Sequence, residues 1–91
     1  MVFGYFYYLK AGVEVQPGLL FSHMSHWARA EGRYSGGPFR NQEGGFVAFE
    51  APNLAKAKTL AEEDPLQGMV EVSWVKPWDA LNEIYWDDKY K

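Results

Sequence analysis

Eight consecutive residues at the N-terminus, Val2–Leu9, are apolar or aromatic at every position except Gly4. They are strand formers, yet they show almost no alternation between apolar and polar. A strand of this kind needs cover on both faces and sits in the middle of a sheet. Ninety-one residues make one domain with a thin core, and no cysteine is present to staple it. The chain must therefore cover one face of the strand itself and find cover for the other elsewhere.

The rest of the chain supplies helices for one face. Lys10–Gly18 reads as a loop, with Pro17 at the start of a helix. The spacing of Leu20, Met24, Trp27 and Ala28 predicts a helix over Leu19–Glu31, flanked by Leu19, His23 and His26 and capped by Gly32. A weak strand follows at Arg33–Ser35, interrupted by Gly36-Gly37-Pro38. After a polar turn, Arg40–Glu43, the run Phe46–Glu50 is a clear strand. Pro52 breaks it, and Asn53 caps a second helix from Leu54 to about Glu63, with Leu54, Ala57, Leu60 and Ala61 as its apolar stripe. Asp64-Pro65 ends that helix. Val70–Val75 alternates Val70, Val72 and Trp74 against Glu71 and Ser73, and Pro77 closes it. The order β-α-β-β-α-β predicts an α+β, ferredoxin-like (split β-α-β) domain over residues 1–78, an antiparallel sheet with both helices on one face. Residues 79–91 form an aromatic, charged tail expected to pack on a dimer partner.

Charge narrows the function classes. The formal charge is −3, and Lys and Arg are scattered. A nucleic-acid binder would show a basic stripe. No stretch reaches the ~20 apolar residues of a membrane span. The N-terminal run lacks the basic flank and cleavage site of a signal peptide. Without cysteine there is no thiolate metal site, and a reducing compartment fits. We therefore expect a cytoplasmic protein with no nucleic-acid or membrane partner and no cofactor. Aromatic residues make up 18% of the chain, more than so thin a core needs. The surplus points to a homodimer pairing its bare sheet faces.

Several motifs resemble those of the YCII-related family of small α+β proteins, within the dimeric α/β-barrel group. They are Glu31-Gly32-Arg33, Gly37-Pro38, Gly44-Gly45, Lys56-Ala57 with Leu60, Asp64-Pro65 and Val75-Lys76-Pro77-Trp78, spread over residues 3–78. The resemblance implies a dimeric barrel and a cleft shared by a helix-one His and the Asp of the Asp-Pro pair. Asp64 matches that Asp. The family His position falls near Leu19 to Phe21, so the imidazole here is His23 or His26, further along the helix, unless it is absent.

The residues themselves leave alternatives open. His23 and His26, three apart on a helix, are surface neighbours. One can serve as a general base, because imidazole titrates near neutrality. With a third ligand from elsewhere the two can join a metal site, and they can equally be a packed helix-edge residue and a solvated one. Asp64 can orient a His or merely cap its own turn. Ser35 and Gly37 can present backbone N–H groups, Arg33 can hold a carboxylate, and Tyr34 and Trp74, with Tyr5, Tyr7, Trp27 and Trp78, can wall an apolar pocket. Two functions of different class follow. One is a cofactor-independent lyase or isomerase acting on a small cyclic or aromatic acid, with His23, His26 and Asp64 as catalytic candidates and Arg33, Tyr34, Ser35, Gly37 and Trp74 as ligand contacts. The other is a non-catalytic dimeric binding or interaction module.

Overall fold

The computed structural model describes residues 1–29 and 34–78. Its elements are β1 (Val2–Leu9), α1 (Pro17–Arg29), β2 (Tyr34–Pro38), β3 (Gly44–Glu50), α2 (Leu54–Glu62), a 3-10 turn (Gln67–Met69) and β4 (Val70–Pro77). The sheet order is β2-β3-β1-β4, and every neighbouring pair is antiparallel. This is the α+β, ferredoxin-like arrangement, with β1 central as its apolar run demanded. The expected Gly32 cap, the Arg33 contact and the 79–91 tail lie outside the described residues.

Alternation along β1 divides two kinds of aromatic residue. Phe3, Tyr5 and Tyr7 are buried under the helices with Val47 and Phe49 of β3. Trp27 from α1 and Ala57 and Ala61 from α2 complete that layer with Leu66. Rings touch throughout it: Trp27–Phe49 centroids lie 4.6 Å apart and Tyr5–Trp27 5.7 Å. Asn53 caps α2 as expected, accepting the Lys56 N–H at 2.8 Å. On the opposite sheet face Phe6 stacks on Trp74 at 5.3 Å and meets Tyr8 edge-on at 5.0 Å. Phe46 contacts Trp74 and Trp78 on the same face.

Three local expectations are corrected. First, α1 is turned from its predicted phase. His23 and Trp27 are buried, while Met24 is 49% exposed and Ala28 also faces outward. A polar His23 is sheltered because it has buried hydrogen-bond partners, which apolar periodicity does not register. Second, β2 continues through Gly36-Gly37 to Pro38. Gly36 has φ +128°, and a Cβ there would lie 2.1 Å from the Phe46 carbonyl oxygen, so only glycine allows the approach. Third, a register shift at Tyr8/Leu9 splits the expected β4 stripe. Val70 packs against the core, whereas Val72 and Trp74 emerge on the open face.

The β2–β3 turn stores strain. Gln42 has φ 61°, a conformation costly for a residue with a Cβ. Gln42→Gly is expected to stabilise the protein by up to ~1 kcal/mol, the gain being trimmed by glycine's greater freedom when unfolded. Urea unfolding should show a raised midpoint with an unchanged slope; a lowered midpoint would contradict it.

Candidate functional site

Two elements distant in sequence bring a histidine and an aspartate together in the helix layer. His23 lies in the middle of α1. Asp64 follows α2 directly, where Pro65 prevents the helix from continuing. Both are buried, at 2% and 3% exposure, and His23 Nδ1 stands 2.6 Å from Asp64 Oδ2. The same oxygen accepts the Trp27 indole N–H at 2.7 Å, and Oδ1 accepts the Leu66 backbone N–H at 2.9 Å. Asp64 thus fills both of the roles weighed for it. One oxygen caps its own turn, and the other holds α1.

The partners define the tautomer of His23. A carboxylate oxygen accepts, so Nδ1 carries a hydrogen, and in the neutral ring Nε2 is then an acceptor. Nε2 faces the Tyr7 hydroxyl at 3.4 Å, a long contact, with the two rings edge to face at 5.6 Å. Tyr7 reaches this position across β3 because its register partner is Gly45. A Cβ on Gly45 would lie 2.5 Å from the Tyr7 hydroxyl oxygen and 2.7 Å from the Gly37 carbonyl oxygen. Tyr5 donates its hydroxyl to Gln67 Oε1 at 3.1 Å.

The other candidates are dispersed. His26 donates from Nε2 to the Leu60 carbonyl at 2.7 Å, tying α1 to α2. It makes no bond to Asp64. Tyr34 is exposed on the edge strand β2. Ser35 and Gly37 pair with Ala48 and Phe46, and so belong to the face away from the helices. Trp74 lies on that face too, opposite Phe6, because the bulge shifts β4 by a residue. The sheet itself separates these three from His23 and Asp64. Tyr7 and Trp27 were legible as aromatic wall; their polar tips, which complete the network, were not. Among the described residues, no group of three His, Cys, Asp or Glu side chains could hold a metal ion.

A small cavity of about 50 Å³ borders the site, lined by Tyr7, Leu9, Val15, Leu20 and Leu66 with Pro38, Gln42 and Gly44. It shares Leu9, Val15 and Gln42 with an outer cavity of about 530 Å³ formed by the Lys10–Val15 loop and the β2–β3 turn. That outer cavity carries Glu14, Glu43 and Glu71 against Lys10.

Burial, reinforced by the Asp64 carboxylate, pushes the Tyr7 phenol up from 10.0 to about 12. Burial, then Asp64 and Tyr7, raises Tyr5 further still. Both phenols hold their proton more tightly folded than unfolded. Their contribution is therefore complete below pH ~10 and is lost as pH rises through the folded values, at ~1.4 kcal/mol per pH unit for each group. An alkaline titration should show Tyr5 and Tyr7 ionising only above the ordinary phenol value of 10.0, together with loss of the near-ultraviolet dichroism. Full tyrosinate absorbance with that signal intact would contradict this.

The structure resembles 5-chloro-2-hydroxyhydroquinone dehydrochlorinase from Burkholderia phenoliruptrix AC1100, solved in complex with 2,5-dihydroxybenzoquinone. The TM-score is 0.75 at 20% identity, covering 87% of this chain and 94% of that one. No protein-family model and no curated protein matches the sequence. The likeness is one of fold. No helix among the described residues is long and apolar enough to cross a membrane.

Proposed function

We propose that this chain is a YCII-like small-molecule-binding protein that performs cofactor-independent lyase or isomerase chemistry on a small cyclic or aromatic acid. The observation that carries the reading is the buried His23–Asp64 pair, bonded at 2.6 Å, whose neighbour Tyr7 lines a cavity. A carboxylate that fixes Nδ1–H leaves Nε2 ready to take a proton and stabilises the imidazolium that forms. Catalysis of this kind needs no group beyond the chain's own side chains. His23 is the base and Asp64 orients it. The related fold's ability to hold a dihydroxybenzoquinone is consistent with a ring as ligand.

The cavities refine the ligand class. At about 50 Å³ the inner chamber admits a few water-sized groups, since one water occupies ~10–15 Å³ on this scale. The ring of a ligand fits the outer cavity, with an oxygen substituent reaching inward. Three glutamates against one lysine there oppose a carboxylate and favour an acid of enol or phenol type.

The test is deuterium exchange at the carbon beside the carbonyl of a cyclic ketone such as cyclohexanone, followed by NMR. Wild type should speed exchange over buffer, and His23→Asn should abolish the gain. Exchange equal to buffer, or an unchanged rate in the variant, would overturn the reading.

The open aromatic face supports a second element, a homodimer. Tyr8, Val72, Trp74 and Trp78 are 37–53% exposed there, next to Phe6, Phe39 and Phe46. Two copies placed sheet to sheet cover these groups at once. A dimeric binding module without catalysis would keep this face and use the His23–Asp64 pair only to hold α1. A cytoplasmic location completes the reading, in keeping with a chain free of cysteine.

A further inference from the structure

We propose that Tyr7 is the catalytic residue that touches the ligand, and that it relays the proton between a ligand hydroxyl and His23 Nε2. This rests on the His23–Asp64 reading above and specifies how that pair reaches its substrate.

Three observations converge on Tyr7. His23 and Asp64 line neither cavity, whereas Tyr7 lines the inner one. The His23 ring is 2% exposed, and its acceptor nitrogen faces the Tyr7 hydroxyl. Gly45 leaves open the space that the Tyr7 hydroxyl fills, which a Cβ would enter at 2.5 Å. Tyr7 thus meets both the imidazole and the cavity. When its O–H points to Nε2, its lone pairs remain free to accept a ligand O–H.

The transfer balances. The ligand O–H bond breaks and its proton forms a new O–H bond on Tyr7. The original Tyr7 O–H bond breaks as that proton moves to Nε2. The ligand oxygen retains the electron pair as an anion, and the imidazolium rests against the Asp64 carboxylate. Tyr7 begins and ends neutral, as suits a phenol whose proton is held to about pH 12. The 3.4 Å separation is a resting length, and such contacts tighten when ligand binds.

The probe is para-nitrophenol, whose ionised form absorbs at longer wavelength than its neutral form. It is added to protein carrying nitrogen-15 histidine, at a pH where the free probe is mainly neutral. In wild type the bound probe should show the phenolate band while His23 Nε2 moves to its imidazolium position. Tyr7→Phe keeps the ring and its contacts. It should still bind the probe, about tenfold more weakly, with the bound probe neutral and His23 unmoved. Ionisation and a His23 shift in Tyr7→Phe equal to wild type would overturn the relay and leave the His23–Asp64 base standing. Ionisation persisting in His23→Asn as well would overturn that base too. Absence of binding to wild type at millimolar probe would overturn the inner cavity as the site, and the relay with it.

Discussion

Asp64→Ala is expected to destabilise the protein by ~3–5 kcal/mol, because each buried donor left unpaired costs ~1–3 kcal/mol. The loss is large because a single side chain satisfies three donors. The His23 imidazole, the Trp27 indole and the Leu66 backbone N–H all end on its two oxygens. A domain of this size has ~5–10 kcal/mol of stability, so the variant should lose a large share of it. Chemical denaturation provides the measurement. Asp64→Asn should be milder, since its amide oxygen still accepts from Trp27 or Leu66. A loss below ~1 kcal/mol for the alanine variant would mean that the network does not form.

Trp74→Arg is expected to weaken self-association at least a hundredfold, as for the loss of a central aromatic anchor. Trp74 stacks on Phe6 at 5.3 Å, meets Phe46, and carries the Lys76 ammonium 5.0 Å from its ring. All of these lie on the face away from the helices, so the monomer's core is untouched. Sedimentation at low micromolar concentration should show wild type at about twice the 10.4 kDa chain mass and the variant at the chain mass, with matching circular dichroism. Wild type sedimenting at the chain mass would contradict the proposed dimer.

Residue types reveal some of this structure more readily than other parts. The central position of β1 was legible because Val2–Leu9 offers no polar face. The start of α2 was legible because Asn53 has a local bond to make, and its end because Pro65 cannot continue a helix. What depends on distant partners was hidden. The phase of α1 follows from His23 finding Asp64 forty-one residues away, and hydropathy counts histidine as polar wherever it points. The bulge at Tyr8/Leu9 is a property of two strands together. It carried Trp74 to the far side of the sheet from the cleft for which its type made it a candidate. Glycines were ambiguous in the same way. Gly36 and Gly37 read as a break, yet Gly36 permits β2 to approach β3 and Gly45 makes space for a phenol. Of the candidate catalytic set, Asp64 was marked by its Asp-Pro setting. His23 and His26 stayed equivalent until the helix phase separated them, one on Asp64 and the other on the Leu60 carbonyl.

The proposed chemistry turns on the state of one imidazole. Long-range nitrogen-15 NMR of histidine-labelled protein near neutral pH reads it directly. We expect His23 to carry its hydrogen at Nδ1, bonded to Asp64, and we expect Asp64→Asn to disturb that pattern while leaving His26 unchanged. A His23 ring protonated at Nε2 alone, or one indifferent to Asp64→Asn, would contradict the pairing on which the proposed chemistry depends.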